Sequence, residues 1–251
     1  MKIKSILVTQ PRPETEKSPY YDLANKYNLK IDFRPFIQVD AITCKEFRQT
    51  KINILDYTAI IFTSKTAINH FFKLCDDLRV VVPDKLKYFC NSESIAFFLQ
   101  KYIVYRKRKI FYGNGNFEHL REILLKHNTE NFLVPCSDIH KEEIPNGLET
   151  LKIKFTRAII YRTVPSDLSD LANVNYDILV FFSPSGIKSL LTNFPNFVQN
   201  DTKIAAFGSN TAKAVLDAGL RLDIQAPMPQ VPSMTMALDL FIKKNNNNNN
   251  K

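Results

Sequence analysis

Ile178-Leu179-Val180-Phe181-Phe182-Ser183-Pro184-Ser185-Gly186-Ile187 is the stretch on which the fold turns. Its five leading apolar residues run without alternation, which suits a strand covered on both faces, the habit of parallel sheets. A hydroxyl-rich turn and an apolar helix start follow, as in the passage from strand to crossover helix of a βαβ unit. The same plan occurs about 120 residues upstream, in Phe62-Thr63-Ser64-Lys65-Thr66-Ala67-Ile68. A second pair sets Asn91-Ser92-Glu93-Ser94-Ile95-Ala96 against Gly208-Ser209-Asn210-Thr211-Ala212-Lys213, and a third sets Ile31-Asp32-Phe33 against Ile153-Lys154-Phe155. Order and spacing are kept across all three, so the chain reads as two copies of one strand-turn-helix plan in two domains.

Outward from these repeats, β-branched and aromatic runs predict strands at 5–9, 31–39, 59–63, 87–90, 132–135, 153–164, 178–182, 203–207 and 222–225. Amphipathic segments of helical period separate most of them, and the class is α/β. A chain of 251 residues with 45% hydrophobic and 24% charged residues can bury enough apolar surface to fold, which excludes disordered and fibrous classes. The run from Lys243 to Lys251 is polar and low in complexity, and is expected to stay disordered outside the fold.

Cys44, Cys75, Cys90 and Cys136 form no C-x-x-C pair, so neither a disulfide framework nor a zinc site is expected and a reducing cytoplasm is the natural setting. The N-terminus offers only Ile6, Leu7 and Val8 as an apolar core, short of a secretion signal, and no run is long enough to span a membrane. A formal charge of +9 favours polyanions, whether nucleic acid, an anionic surface or a poly-carboxylate metabolite.

In a parallel sheet, ligands bind beyond the carboxyl ends of the strands, where helix starts present unpaired N–H groups. The repeated turns fall at that edge. Thr63, Ser64, Ser94, Ser183, Ser185, Ser209 and Thr211 are therefore candidates to hold carboxylate oxygens, although each also suits a plain helix cap. Gly208 allows a left-handed backbone or close approach of a ligand. Gly113-Asn114-Gly115-Asn116 lacks the spacing of a nucleotide-binding loop and reads as a turn before a helix at Phe117. The histidines at 70, 119, 127 and 140 show no metal-ligand spacing. Arg106-Lys107-Arg108-Lys109, flanked by Tyr102, Tyr105 and Tyr112, is either a solvated edge or a nucleic-acid patch. Tyr161, on a predicted strand, is either a packed amphipathic side chain or a proton donor.

The succession Leu7-Val8-Thr9-Gln10-Pro11, Phe62-Thr63-Ser64, Tyr161-Arg162-Thr163, Phe182-Ser183-Pro184-Ser185-Gly186 and Phe207-Gly208-Ser209-Asn210-Thr211-Ala212 resembles the uroporphyrinogen-III synthase family along nearly the whole chain. The resemblance implies two parallel-sheet, flavodoxin-like domains joined by a two-stranded antiparallel ladder, with an interdomain cleft. Here that gives one discontinuous domain of residues 1–35 and 165–244 and another of 36–164, with hinge strands at about 32–39 and 155–164. It also implies the reaction: hydroxymethylbilane, a linear tetrapyrrole with eight carboxylates, closes with loss of water and inversion of its last ring. No metal or organic cofactor is needed, and a cytoplasmic monomer without nucleic-acid or membrane partners is expected. On this reading Thr63, Ser64, Ser94, Ser183, Ser185, Gly208, Ser209 and Thr211 bind substrate, and Tyr161 assists departure of the hydroxyl. Gln10 stands where many relatives have arginine, with Arg12 and Lys17 nearby. A binding or regulatory module of the same fold without turnover is the competing reading.

Overall fold

The structure is a computed structural model that describes residues 2–15, 17–139, 143–171 and 175–248. In chain order its elements are β1 (Ser5–Val8), α1 (Pro19–Tyr27), β2 (Lys30–Phe33), β3 (Ile37–Ala41), α2 (Cys44–Gln49), β4 (Ala59–Phe62), α3 (Lys65–Leu78), β5 (Lys87–Cys90) and α4 (Glu93–Phe98). They continue with β6 (Ile110–Tyr112), α5 (Phe117–Leu125), β7 (Phe132–Ser137), α6 (Glu143–Thr150), β8 (Phe155–Pro165), β9 (Ile178–Phe181), α7 (Pro184–Asn193), β10 (Lys203–Phe207), α8 (Ser209–Asp217), β11 (Ile224–Ala226) and α9 (Met234–Asn248). The chain divides into two compact units, Met1–Gln38 with Val164–Lys251, and Val39–Thr163.

The first unit holds a sheet of order β11-β10-β9-β1-β2, whose neighbours all pair in parallel. Strand β9 is apolar on both sides because both are covered. Val180 and Ile178 pack with Ile6, Val8, Leu23 of α1 and Leu238 of α9 on one face. Leu179 and Phe181 pack with Leu7, Ile187 and Leu190 of α7 and Val215 of α8 on the other.

The second sheet has the order β3-β8-β7-β4-β5-β6, and β8, β7, β4, β5 and β6 pair in parallel. Ile60 and Phe62 face α3 and α4 through Ile68, Phe71 and Ala96, while Ala59 and Ile61 face α5 and α6 through Phe117, Leu120 and Leu148. Each fully buried side chain of this size contributes roughly 1.5–3 kcal/mol relative to exposure.

The echoes in the sequence sit at matching places in the two strand orders. Counted outward, β11-β10-β9-β1-β2 corresponds to β6-β5-β4-β7-β8, so β9 matches β4, β10 matches β5 and β2 matches β8. In each sheet the order reverses at one point, between β1 and β9 and between β7 and β4.

Three expectations are corrected. The single strand at 31–39 is two: β2 ends at Phe33, β3 starts at Ile37, and they belong to different sheets. Pro35, which has no N–H to give a ladder, falls in the break. Strand β6, at the edge of its sheet, follows the basic run at a place where the sequence predicts no strand. The polar tail is helical as far as Asn248, because Leu238 and Ile242 of α9 anchor the helix in the core; residues 249–251 lie outside the described residues.

Candidate functional site

In the unit Val39–Thr163, the carboxyl ends of β4, β5 and β7 open onto a cavity of about 330 Å³. It is lined by Thr63, Ser64, Asn91, Ser137, Arg157 and Tyr161 among others, and lies where the strand order reverses. Such switch points leave a crevice because helices depart from the two adjacent strands to opposite faces.

Ser64 reaches this edge because β4 ends at Phe62 and α3 starts at Lys65. Its backbone is extended, and its Oγ accepts from the N–H of Ala67 at 3.0 Å, so it caps the helix. The hydroxyl also lies 3.5 Å from the Tyr161 hydroxyl, near the limit of a hydrogen bond. Tyr161 comes from β8 at a register shift: Cys136 pairs with Ile159 but Ser137 pairs with Tyr161, leaving Ile160 as the extra residue of a bulge. Bulges re-aim the side chains that follow them. Ile160 and Tyr161 are consequently both buried, out of step with strand alternation. The His70 ring stacks on that of Tyr161, with centroids 5.0 Å apart.

Asp138, just past the end of β7, ties that strand to β8. One carboxylate oxygen accepts from Ser137 Oγ (2.8 Å), the Ile139 N–H (2.9 Å) and the Thr163 N–H (3.0 Å), and the Asp138 N–H donates to the Tyr161 carbonyl (3.2 Å). Burial pushes this carboxyl up, but those donors and the nearby Arg162 charge outweigh it and hold it below the usual carboxylate range. The Gly113–Asn116 segment is a turn as expected, with Asn116 capping α5, and Gly115, at φ +95°, forms part of the pocket wall.

In the other unit, Ser183 caps α7, accepting from the Gly186 N–H at 3.3 Å, and Pro184 occupies the first turn, where its missing N–H costs nothing. Ser185 is half-buried beside it. Gly208, at φ +88° and ψ 148°, precedes α8 in a conformation that glycine alone adopts readily, and Ser209 is exposed at the helix start. Because β9 and β10 are neighbours, Ser183, Ser185, Gly208 and Ser209 share one sheet edge.

The structure parts company with two of the candidates. Thr211 is only 3% exposed, turned into the packing of α8 rather than toward a ligand, because it lies on the same helix face as the buried Val215. Ser94 is exposed with its Oγ 3.2 Å from Ser92 Oγ, and is not among the residues that line the cavity. Arg157, Asn91 and Ser137 also line it and are not among the binding candidates read from the sequence, although Asn91 heads one of its repeats. An arginine within a strand of apolar and β-branched residues was the available signal for Arg157. The basic run is partly engaged: Arg106 and Lys109 both pair with Asp84, at 2.8 and 3.2 Å, and Tyr102 donates to Asn69 and stacks on Phe72. His140 lies outside the described residues. None of the four cysteines is joined in a disulfide. Among the described residues no three His, Cys, Asp or Glu side chains gather as a metal site, and no helix is long and apolar enough to cross a membrane.

Parallel α/β sheets with a pocket at a reversal of strand order define the class of open α/β folds whose ligands bind beyond the carboxyl ends of the strands. A family model described as uroporphyrinogen-III synthase HemD matches residues 20–236. The fold is similar to that of uroporphyrinogen-III synthetase from Helicobacter pylori, with TM-score 0.61 and 17% identity over 96% of this chain and 100% of that one. It is also similar to a mutant uroporphyrinogen III synthase from Thermus thermophilus, with TM-score 0.52 and 14% identity over 96% and 99% of the two chains. No curated protein matches the sequence significantly. The chain belongs to the uroporphyrinogen-III synthase family, whose members are lyases that form the macrocycle of heme biosynthesis.

Proposed function

We propose that this chain closes hydroxymethylbilane to uroporphyrinogen III with inversion of the last pyrrole ring, using Tyr161 and the hydroxyl-bearing strand ends of each unit. The bilane needs little activation. A pyrrole nitrogen lone pair expels the terminal hydroxyl, the C–O bond breaks, and the Tyr161 phenol gives the proton with which it leaves as water. The substituted carbon of the last ring then attacks the resulting azafulvene to form a spiro intermediate; its older bond to the ring breaks, the ring's unsubstituted carbon makes the final bond inverted, and that carbon's proton returns to the Tyr161 phenolate as the pyrrole re-forms. Spontaneous closure gives the uninverted isomer, so the work of the protein is positional.

The observation that carries this reading is the Tyr161 hydroxyl 3.5 Å from Ser64 Oγ in a pocket that also contains Thr63 and Arg157. Thr63, Ser64 and Arg157 in one unit, and Ser183, Ser185, Ser209 and the amide N–H groups after Gly208 in the other, are donors suited to carboxylates. Strands β3 and β8, adjacent in their sheet, span the two points at which the chain passes from one unit to the other, and we read them as the antiparallel ladder that joins two domains. The protein acts as a cytoplasmic monomer, without cofactor. Incubation with enzymatically made hydroxymethylbilane, followed by oxidation and isomer analysis, is expected to give the type III porphyrin. Type I product alone, at the spontaneous rate, would mean a non-catalytic module of this fold.

A further inference from the structure

We infer that His70 is a positioning residue for Tyr161, acting through its ring face rather than through a hydrogen bond. His70 lies on α3, two turns from the Ser64 cap, and its imidazole stacks on the phenol ring with centroids 5.0 Å apart and planes 24° from parallel. Its Nδ1 is buried and has no hydrogen-bond partner. A buried ring nitrogen without a partner is a cost to the fold that a carbocyclic ring would avoid. Among the described residues no hydrogen bond holds the ring at Nδ1, and its aromatic contact is with Tyr161. The phenol thus has the His70 ring along its face and Ser64 Oγ 3.5 Å from its hydroxyl. Both partners sit on α3 or at its cap, so one rigid helix sets the torsions of the tyrosine. A tyrosine has two side-chain torsions, and removing the stack takes away the packing on one ring face, so the ring can tilt toward the space left and shift its hydroxyl.

This inference rests on the role proposed for Tyr161, and the experiment separates the two. His70→Leu, which keeps bulk but not the stack, is expected to lower kcat for uroporphyrinogen III about tenfold with KM within about twofold. His70→Phe restores the stack and removes the unpartnered nitrogen, so it keeps kcat near wild type and melts no lower than the parent. In a Tyr161→Phe background, whose own kcat is depressed, His70→Leu has no additional effect, because there is no hydroxyl left to place. If Tyr161→Phe is fully active, the role of Tyr161 is wrong. If Tyr161→Phe is impaired but His70→Leu is silent, multiplies with it, or is not rescued by Phe, His70 does not act through the tyrosine.

Discussion

Arg157 is the cation among the described residues that line the pocket, beside hydroxyl, amide and apolar groups and the carboxylate of Glu143. A guanidinium can hold a carboxylate through two parallel N–H donors, and charged hydrogen bonds of this kind contribute about 1.5–3 kcal/mol. Arg157→Gln should raise KM for hydroxymethylbilane about tenfold or more and leave kcat within about threefold, since the contact is made in ground and transition states alike. A KM unchanged in steady-state assays would remove Arg157 from the substrate's path. That Thr63 and Ser64 fall at one sheet edge was legible because hydroxyls just past a strand's carboxyl end are visible in the sequence, whereas Tyr161 lies within β8 and reaches the same pocket through the bulge. The burial of Thr211 was not legible, because which residue of a helical turn faces inward depends on the phase in which the helix leaves Gly208, and composition does not carry that phase.

At the scale of elements, Gly147 shows how packing overrules propensity. It lies within α6, where alanine would ordinarily improve a helix by about 1 kcal/mol. A Cβ there would meet the Phe117 ring at 2.0 Å, and that ring is itself nearly buried against Leu120, Leu148 and Ile153. Gly147→Ala is therefore expected to destabilise this unit by about 1–3 kcal/mol, read as a lower midpoint in urea unfolding. A midpoint that rises would show that Phe117 moves aside freely. The same tension between local pattern and context explains the strands. The run at 178–182 was legible as a covered strand because every position is apolar. The break between β2 and β3 was concealed by β-branched and aromatic residues on both sides of Pro35. The bulge at Ile160 leaves no mark in composition at all, although it decides where Tyr161 falls.

For the whole molecule, the repeats conveyed most, because two copies of one plan constrain strand order more tightly than any single motif. Charge adds a property that no single element has: both units hold carboxylates below their ordinary range. Glu46 is held down to about 2 by the Thr43 backbone N–H and hydroxyl and by Arg162. For Asp32, burial works the other way but is outweighed by hydrogen bonds from Lys30 and Tyr176; for Asp239, the hydrogen bond from Lys26 dominates. A depressed carboxylate binds fewer protons folded than unfolded, so its stabilisation is present above about pH 4.5 and lost as pH falls through the folded value. His70 and His127 are held below their usual range, chiefly by burial and then by Lys73 and Lys87, so their share is present above about pH 6.5 and fades below it. Protonation also adds to a chain already at +9, whose self-repulsion then grows. The melting temperature should therefore be flat from about pH 8 to 7, decline gently below about 6.5 and fall steeply below about 4.5. Glu46→Gln should melt lower than the parent at neutral pH, and the gap should close as pH approaches 2, where the parent's carboxylate is itself protonated. Calorimetric scans across this range check both: a melting temperature at pH 4 equal to that at pH 7.5, or a gap that widens in acid, would show that these pairs do not couple to folding.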